Sequence, residues 1–188
     1  MKNILLICLL LLPSCWLKGQ STMEKPPISI AYFSQFGFQP GVKIATEFNL
    51  KELTTETQKA KRRNLFISPQ IGFFSWPNNH SNLLLNADIG IKRQKENKSS
   101  FSALSLGLGY LHEFQISTVA VQLGDGKQST SRTSRSYFLP TLNYAFGSSL
   151  SSAVDWYSKI GVGQRFGGGI TAATTVLFEL GLQFQLKK

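Results

Sequence analysis

Long runs of this chain alternate apolar and polar residues with a period of two, and that alternation leaves little choice of fold. In the last run Val176, Phe178, Leu180, Leu182, Phe184 and Leu186 share one parity. Thr175, Glu179, Gly181, Gln183 and Gln185 share the other, with Leu177 the exception. The same split recurs upstream. Val154, Trp156, Ile160, Val162 and Phe166 oppose Asp155, Tyr157, Lys159, Gly161, Gly163 and Arg165. Leu104, Leu106, Leu108, Tyr110 and Phe114 oppose Ala103, Ser105, Gly107, Gly109 and Glu113. Leu83, Leu85, Ala87, Ile89 and Ile91 oppose Asn86, Asp88, Gly90 and Lys92. Two shorter runs, around 41–50 and 136–147, repeat the pattern, and 28–37 and 64–76 carry it more weakly. No stretch after residue 27 keeps a helical period over three turns. The expectation is eight strands, at about 28–37, 41–50, 64–76, 82–94, 101–114, 136–147, 154–166 and 172–186.

Strand length narrows the class. Many of these runs exceed the usual soluble strand of about five or six residues and reach the roughly 9–11 that a tilted membrane strand needs. The even count fits a chain with both ends on one side of a membrane. The choice between a soluble and a membrane barrel turns on which face meets water. The apolar faces contain no Asp, Glu, Lys or Arg, as lipid demands, since a mid-depth cation costs on the order of 2–4 kcal/mol. The opposite faces carry glycines and charges of both signs, suited to a narrow, self-neutralising lumen. Aromatic residues at strand ends (Phe73, Phe74, Trp76, Tyr137, Phe138, Tyr144, Phe146, Trp156) suit interfacial girdles. The predicted fold is all-β, a membrane-spanning antiparallel up-and-down barrel. Such a wall also explains why only 16% of the residues are charged, against about 25% for an ordinary soluble chain.

The N-terminus reads as a targeting segment. Lys2 precedes a nine-residue apolar run, Ile4–Leu12, ended by Pro13. That is a signal-peptide core, too short to span as a helix. Two processing routes stay open: cleavage after Ser21, or a lipobox-like Leu12-Pro13-Ser14-Cys15 with Cys15 lipidated. The expected organisation is a signal peptide over 1–21, a short linker over 22–27 and the barrel over 28–188. Both cysteines precede residue 16, so neither a disulfide framework nor a CxxC metal site is expected.

The C-terminal run Glu179-Leu180-Gly181-Leu182-Gln183-Phe184-Gln185-Leu186 resembles the β-signal of outer-membrane barrels, with Glu179, Gly181, Phe184 and Leu186 at its key positions. Lys187 and Lys188 follow where many family members end in Phe. More broadly, residues 28–188 resemble the small eight-stranded barrels of the OmpA-domain and OmpX type. Stretches such as Pro40–Ile44 and Phe66–Pro69 are similar to barrels of Bacteroidetes-type bacteria. The resemblance implies the outer membrane of a Gram-negative cell, recognition by the barrel-assembly machinery, contact with outer-membrane lipid and lipopolysaccharide, and other outer-membrane proteins as partners. It implies no cofactor. The role expected is non-enzymatic, structural or surface-interacting, with a lumen filled by side chains. A lipid A-modifying deacylase or acyltransferase and a narrow pore are the alternatives.

Candidate site residues follow from placement. With a periplasmic C-terminus, 115–135 becomes an extracellular loop whose Lys127, Arg132 and Arg135 could meet lipopolysaccharide phosphates. The basic 51–63 segment then falls on the periplasmic side, which leaves open whether 28–37 spans the membrane. Lys159 and Glu179 both face the lumen and would form a cross-strand ion pair if Gly167–Gly169 centres their hairpin; a one-step offset is the other register. His80-Ser81, read as a loop after Trp76, and the outward His112 lack the spacing and acid of a hydrolase triad. No metal site is expected from two histidines. The net charge of +10 is spread over loops, lumen and ends without a nucleic-acid motif, so no nucleic-acid partner is expected.

Overall fold

The computed structural model describes residues 25–53, 61–76, 80–95, 99–119 and 129–186. The expected signal segment, Cys15 and Lys127 lie outside them. Nine strands occur among the described residues: β1 (Ile28–Gln35), β2 (Gln39–Thr46), β3 (Phe48–Glu52), β4 (Lys61–Trp76), β5 (His80–Lys95), β6 (Ser100–Val119), β7 (Ser129–Ser149), β8 (Val154–Gly167) and β9 (Ile170–Phe184). Each pairs antiparallel with its neighbours. β1 lies between β2 and β9, and β2 and β3 both pair with β4, so the sheet closes on itself. β2 and β3 are two halves of one stave, and the barrel has eight staves.

The break between those halves has a local cause. By register Thr46 stands opposite Pro69, and the β2–β4 ladder stops at Ala45↔Gln70, to resume as β3–β4 at Phe48↔Ile67. Proline has no N–H to give the ladder. Pro140 leaves the same mark in β7, where the β7–β8 ladder runs from Phe138↔Phe166 to Thr141↔Gly163 with nothing between. Sequence periodicity reads through both prolines, so it joins 41–50 into one strand where the structure has two.

Other expectations need similar correction. The first stave ends at Gln35, not 37, because Phe36 and Gly37 turn with positive φ (51° and 78°). It runs alongside β9 and belongs to the wall. The supposed 115–135 loop is largely strand: β6 continues to Val119 and β7 begins at Ser129. His80 and Ser81 are not loop residues but open β5, paired with Trp76 and Ser75. The glycine turn does centre its hairpin, with φ of 107°, 65° and 78° at Gly167, Gly168 and Gly169, values that favour glycine.

The outer wall is apolar. Leu104, Leu106, Leu108, Tyr110 and Phe114 on β6, Phe138, Leu142, Tyr144 and Phe146 on β7, and Ile160 and Val162 on β8 are all exposed, Leu106 by 60%. Leu85, Ile89 and Ile91 on β5, Ile71 and Phe73 on β4, and Phe178, Leu180 and Leu182 on β9 continue the band. From Leu104 to Phe114 along a strand tilted near 40° the band is about 25 Å tall, the thickness of a barrel's lipid-facing belt. Aromatic side chains mark its two edges: Trp76, Phe114 and Phe138 at the end bearing the β4–β5 and β6–β7 hairpins, and Tyr144, Phe146 and Trp156 at the end bearing the termini. Water would not tolerate such a continuous apolar exterior, whereas lipid requires it. The chain is a membrane-spanning β-barrel.

Candidate functional site

Inward parity builds the lumen, and it is stacked in layers. At the centre Lys43 (β2) and Lys159 (β8) meet Glu179 (β9) and Asp88 (β5). Lys43 Nζ donates to Glu179 Oε2, and to Gln70 Oε1 at 2.7 Å. Lys159 Nζ lies 2.9 Å from Asp88 Oδ2 and 3.2 Å from Glu179 Oε2. The Tyr157 hydroxyl donates to Glu179 Oε1 at 2.6 Å. Asp88 also accepts from Gln70 at 2.8 Å, Asn86 at 2.7 Å and Asn143 at 3.1 Å. Two cations and two carboxylates cancel, and side chains from β2, β4, β5, β7, β8 and β9 are tied together. Charge-assisted bonds of this kind are strong only when every partner is satisfied.

Glycines make room for this node. A Cβ on Gly107 would collide with Thr141 Oγ1 and Asp88 Oδ1, and one on Gly161 with Asn143 Oδ1.

Towards the hairpin end the node is capped by an apolar layer. Phe33, Phe74, Leu84, Leu111, Tyr137 and Leu139 are buried together, and Leu177 packs against them. Phe33 and Phe74 meet edge to face with centroids 5.3 Å apart. Phe74 and Tyr137 therefore line the lumen, and the reading of both as girdle residues is corrected. Leu177, which breaks the alternation of its run, is accounted for by the same layer. Beyond it, Arg165 pairs with Glu113 at 3.5 Å and sits over the Tyr137 ring.

Towards the termini, Lys92 bridges Glu47 at 2.9 Å and Gln183 at 3.4 Å. It lies 4.5 Å from the Phe101 ring centre. A cavity of about 60 Å³ separates this layer from the central node, room for no more than a few waters.

The register sets Lys159 directly opposite Glu179, but Glu179 is shared with Lys43, which periodicity alone does not single out. Of the candidate β-signal residues, Glu179 and Gly181 face inward and are buried, Phe184 closes β9 opposite Ile28, and Leu186 is exposed past the strand end. Arg135 is exposed on β7 with Glu113 as its register partner. Arg132 stands opposite Ile116 in the ladder, and its side chain lies outside the described ones.

The histidines differ. His80 lies beside Trp76, ring centroids 6.2 Å apart. His112 is part of an outward cluster at the hairpin-end belt: its Nδ1 is 2.9 Å from Ser136 Oγ, and the Tyr110 hydroxyl is 2.8 Å from the same oxygen. The Phe114 ring closes over the imidazole at 4.4 Å. Ser136 carries no sequence signal of its own. Only the β6–β7 register, His112↔Ser136, brings it to the histidine. Glu113, next in sequence, points into the lumen, so this pair has no carboxylate behind it among the described residues.

The comparisons with solved structures return small outer-membrane barrels. The chain is similar to Neisserial surface protein A (TM-score 0.47, 11% identity, covering 86% of this chain and 94% of that one). It is also similar to the N-terminal β-barrel domain of OprF from Pseudomonas aeruginosa (TM-score 0.47, 10% identity, 86% and 98%). The NanC porin is a more distant likeness (TM-score 0.30, 9% identity, 86% and 100%). No protein-family model matches the chain, and the comparison with curated proteins finds no match.

Proposed function

We propose that this protein is a non-enzymatic barrel of the Gram-negative outer membrane, with a structural or surface-interaction role and a lumen closed by its own side chains. One observation carries the reading: a neutral, cross-braced charge node lies beneath an apolar layer, and both fill the bore. Ion passage needs a continuous wet path, and this stacking opposes one. On this reading the C-terminal run is the assembly signal, and Lys127, Arg132 and Arg135 are the contacts for lipopolysaccharide phosphate. The test is reconstitution in a planar bilayer. Heat-modifiable, folded protein should give no stepwise currents; discrete ohmic openings would refute the closed lumen.

A second reading, a lipid-modifying acyl hydrolase or transferase, is favoured by the Ser136–His112 pair on the lipid-facing wall, since a serine beside an imidazole is the start of an activated nucleophile. The absence of a carboxylate among the described neighbours weighs against it. A fluorophosphonate probe that labels Ser136 in the folded barrel, and fails to label the H112A variant, would turn the assignment to the enzyme.

A further inference from the structure

One outward position of β8 breaks the apolar rhythm of the wall. Val162 and Phe166 face lipid and are exposed, and between them stands Gln164, exposed as well. Its partner across the β8–β9 ladder is Thr174, a second exposed polar residue of the outward parity. On the other side of Gln164 is Pro140 of β7, where the ladder fails. Two consecutive pairs are absent there, Leu139–Arg165 and Pro140–Gln164, while Phe138↔Phe166 and Thr141↔Gly163 hold. In antiparallel pairing the two absent pairs share one bond, from the amide of residue 140 to the carbonyl of Gln164. Proline has no N–H to make it, so the Gln164 carbonyl is left without a donor from β7. Among the described residues no other group donates to this carbonyl, and neither the Gln164 side chain nor the Thr174 hydroxyl is hydrogen-bonded.

The same place is a groove. A hollow of about 380 Å³ lies on the outer wall, lined by Leu106, Pro140, Leu142, Val162, Gln164 and Thr174. Its depth follows from Phe138, at the hairpin-end edge of the apolar band, which pairs with Phe166. Gln164 is one pair step inside that edge, about 5 Å along the membrane normal for a strand tilted near 40°. Aromatic residues at a belt edge sit at headgroup level, so the polar floor of the groove lies where acyl chains join the rest of a lipid. A hollow in a lipid-facing wall is filled by lipid, and a bare backbone carbonyl there is costly unless the lipid brings a donor.

We propose that this groove binds a membrane lipid whose acyl chain is amide-linked, in the leaflet at the hairpin end. The lipid's amide N–H donates to the Gln164 carbonyl. The Gln164 side-chain amide and the Thr174 hydroxyl bond the lipid's own carbonyl and a neighbouring hydroxyl. The chain then runs past Val162, Leu142 and Leu106 towards the bilayer centre. Chemistry at the linkage selects the ligand: an ester-linked chain offers only acceptors at that depth and leaves the protein carbonyl bare. Headgroup charge plays no part. The inference therefore needs only the lipid-facing wall, and stands apart from the contacts proposed for Lys127, Arg132 and Arg135 and from the state of the lumen.

The experiment uses the full-length folded protein in detergent, with sphingomyelin and phosphatidylcholine of matched chains as probes. The two share a headgroup and differ in amide against ester linkage. Lipid retention is read by native mass spectrometry. The wild-type barrel should prefer sphingomyelin by on the order of tenfold, and N-methylated sphingomyelin, which lacks the N–H, should be held no better than phosphatidylcholine. Pro140→Ala, which returns the ladder donor to the carbonyl, should remove the preference, as should the double variant Gln164→Leu, Thr174→Val. Ser158→Ala, at an outward polar position of the same strand nearer the termini end, should keep it. Heat-modifiable migration establishes that each variant is folded, and the N-methylated probe tests the wild type should a variant fail to fold. Equal retention of the two lipids by the wild type, undiminished retention of the N-methylated one, persistence of the preference in Pro140→Ala or in the double variant, or its loss in Ser158→Ala would each overturn the proposal.

Discussion

Replacing Glu179 by Gln tests whether the central node braces the barrel. Its carboxylate accepts from Lys43 and Tyr157 and pairs with Lys159 at 3.2 Å, and the Lys43–Glu179 pair is only 3% exposed on each side. Without it, two ammonium groups share Asp88 in an enclosed bore. Breaking one partner out of a buried pair costs about 3–5 kcal/mol. The amide keeps the shape and can still accept from Tyr157, so about 3 kcal/mol is expected. Removing Lys43 as well restores neutrality, because Lys159 and Asp88 still pair at 2.9 Å. The double variant Lys43→Met, Glu179→Gln should therefore return to within about 1 kcal/mol of wild type, a coupling of at least about 2 kcal/mol. The assay is reversible urea unfolding in detergent micelles, followed by the fluorescence of Trp76 and Trp156. Folding into micelles bypasses any role of Glu179 in recognition by the assembly machinery. Additive losses in the double variant would refute the argument, as would an E179Q effect below about 0.5 kcal/mol, which is what a solvated pair gives.

Two further outcomes follow from the wall. Pro140→Ala supplies the N–H missing opposite Gln164. It should stabilise the barrel by up to about 1 kcal/mol, with new amide protection in β7 and β8 by hydrogen exchange; a loss of stability would mean that the gap is not due to the missing donor. Gly107→Val drives a side chain into Thr141 and Asp88. It should cost about 1–3 kcal/mol or more by overpacking, with a lower urea midpoint as the readout.

Much of the wall was legible in the sequence, because lipid enforces alternation on every strand it touches. The outward leucines of β6 and the inward glycines opposite them are read correctly from parity alone. What periodicity missed lies where a different force decides. Pro69 and Pro140 interrupt ladders without disturbing the apolar rhythm. Phe74, Tyr137 and Leu177 are apolar yet face inward, and parity shows this only once the layer that receives them is known. The Lys159–Glu179 pairing follows from one tight hairpin. The partnership of Glu179 with Lys43 and of His112 with Ser136 depends on closure and on register across a long connection, and neither is written in local spacing.

The height of the wall is uneven around its circumference. Both ladders of β1 stop at Gln35. The β6–β7 ladder instead climbs to Val119↔Ser129, past the last β5–β6 pair at Gln115 and the last β7–β8 pair at Tyr137. Above those levels β6 and β7 have only each other among the described strands, and no other described strand bonds to either border of the ribbon. An extended segment of another chain could add to either border by main-chain bonding alone. The β7 border from Ser129 to Ser136 is built of Ser, Thr and Arg, a composition that discourages indiscriminate pairing. A molecule approaching from that side meets a raised strand edge of this composition before it reaches the mouth of the barrel.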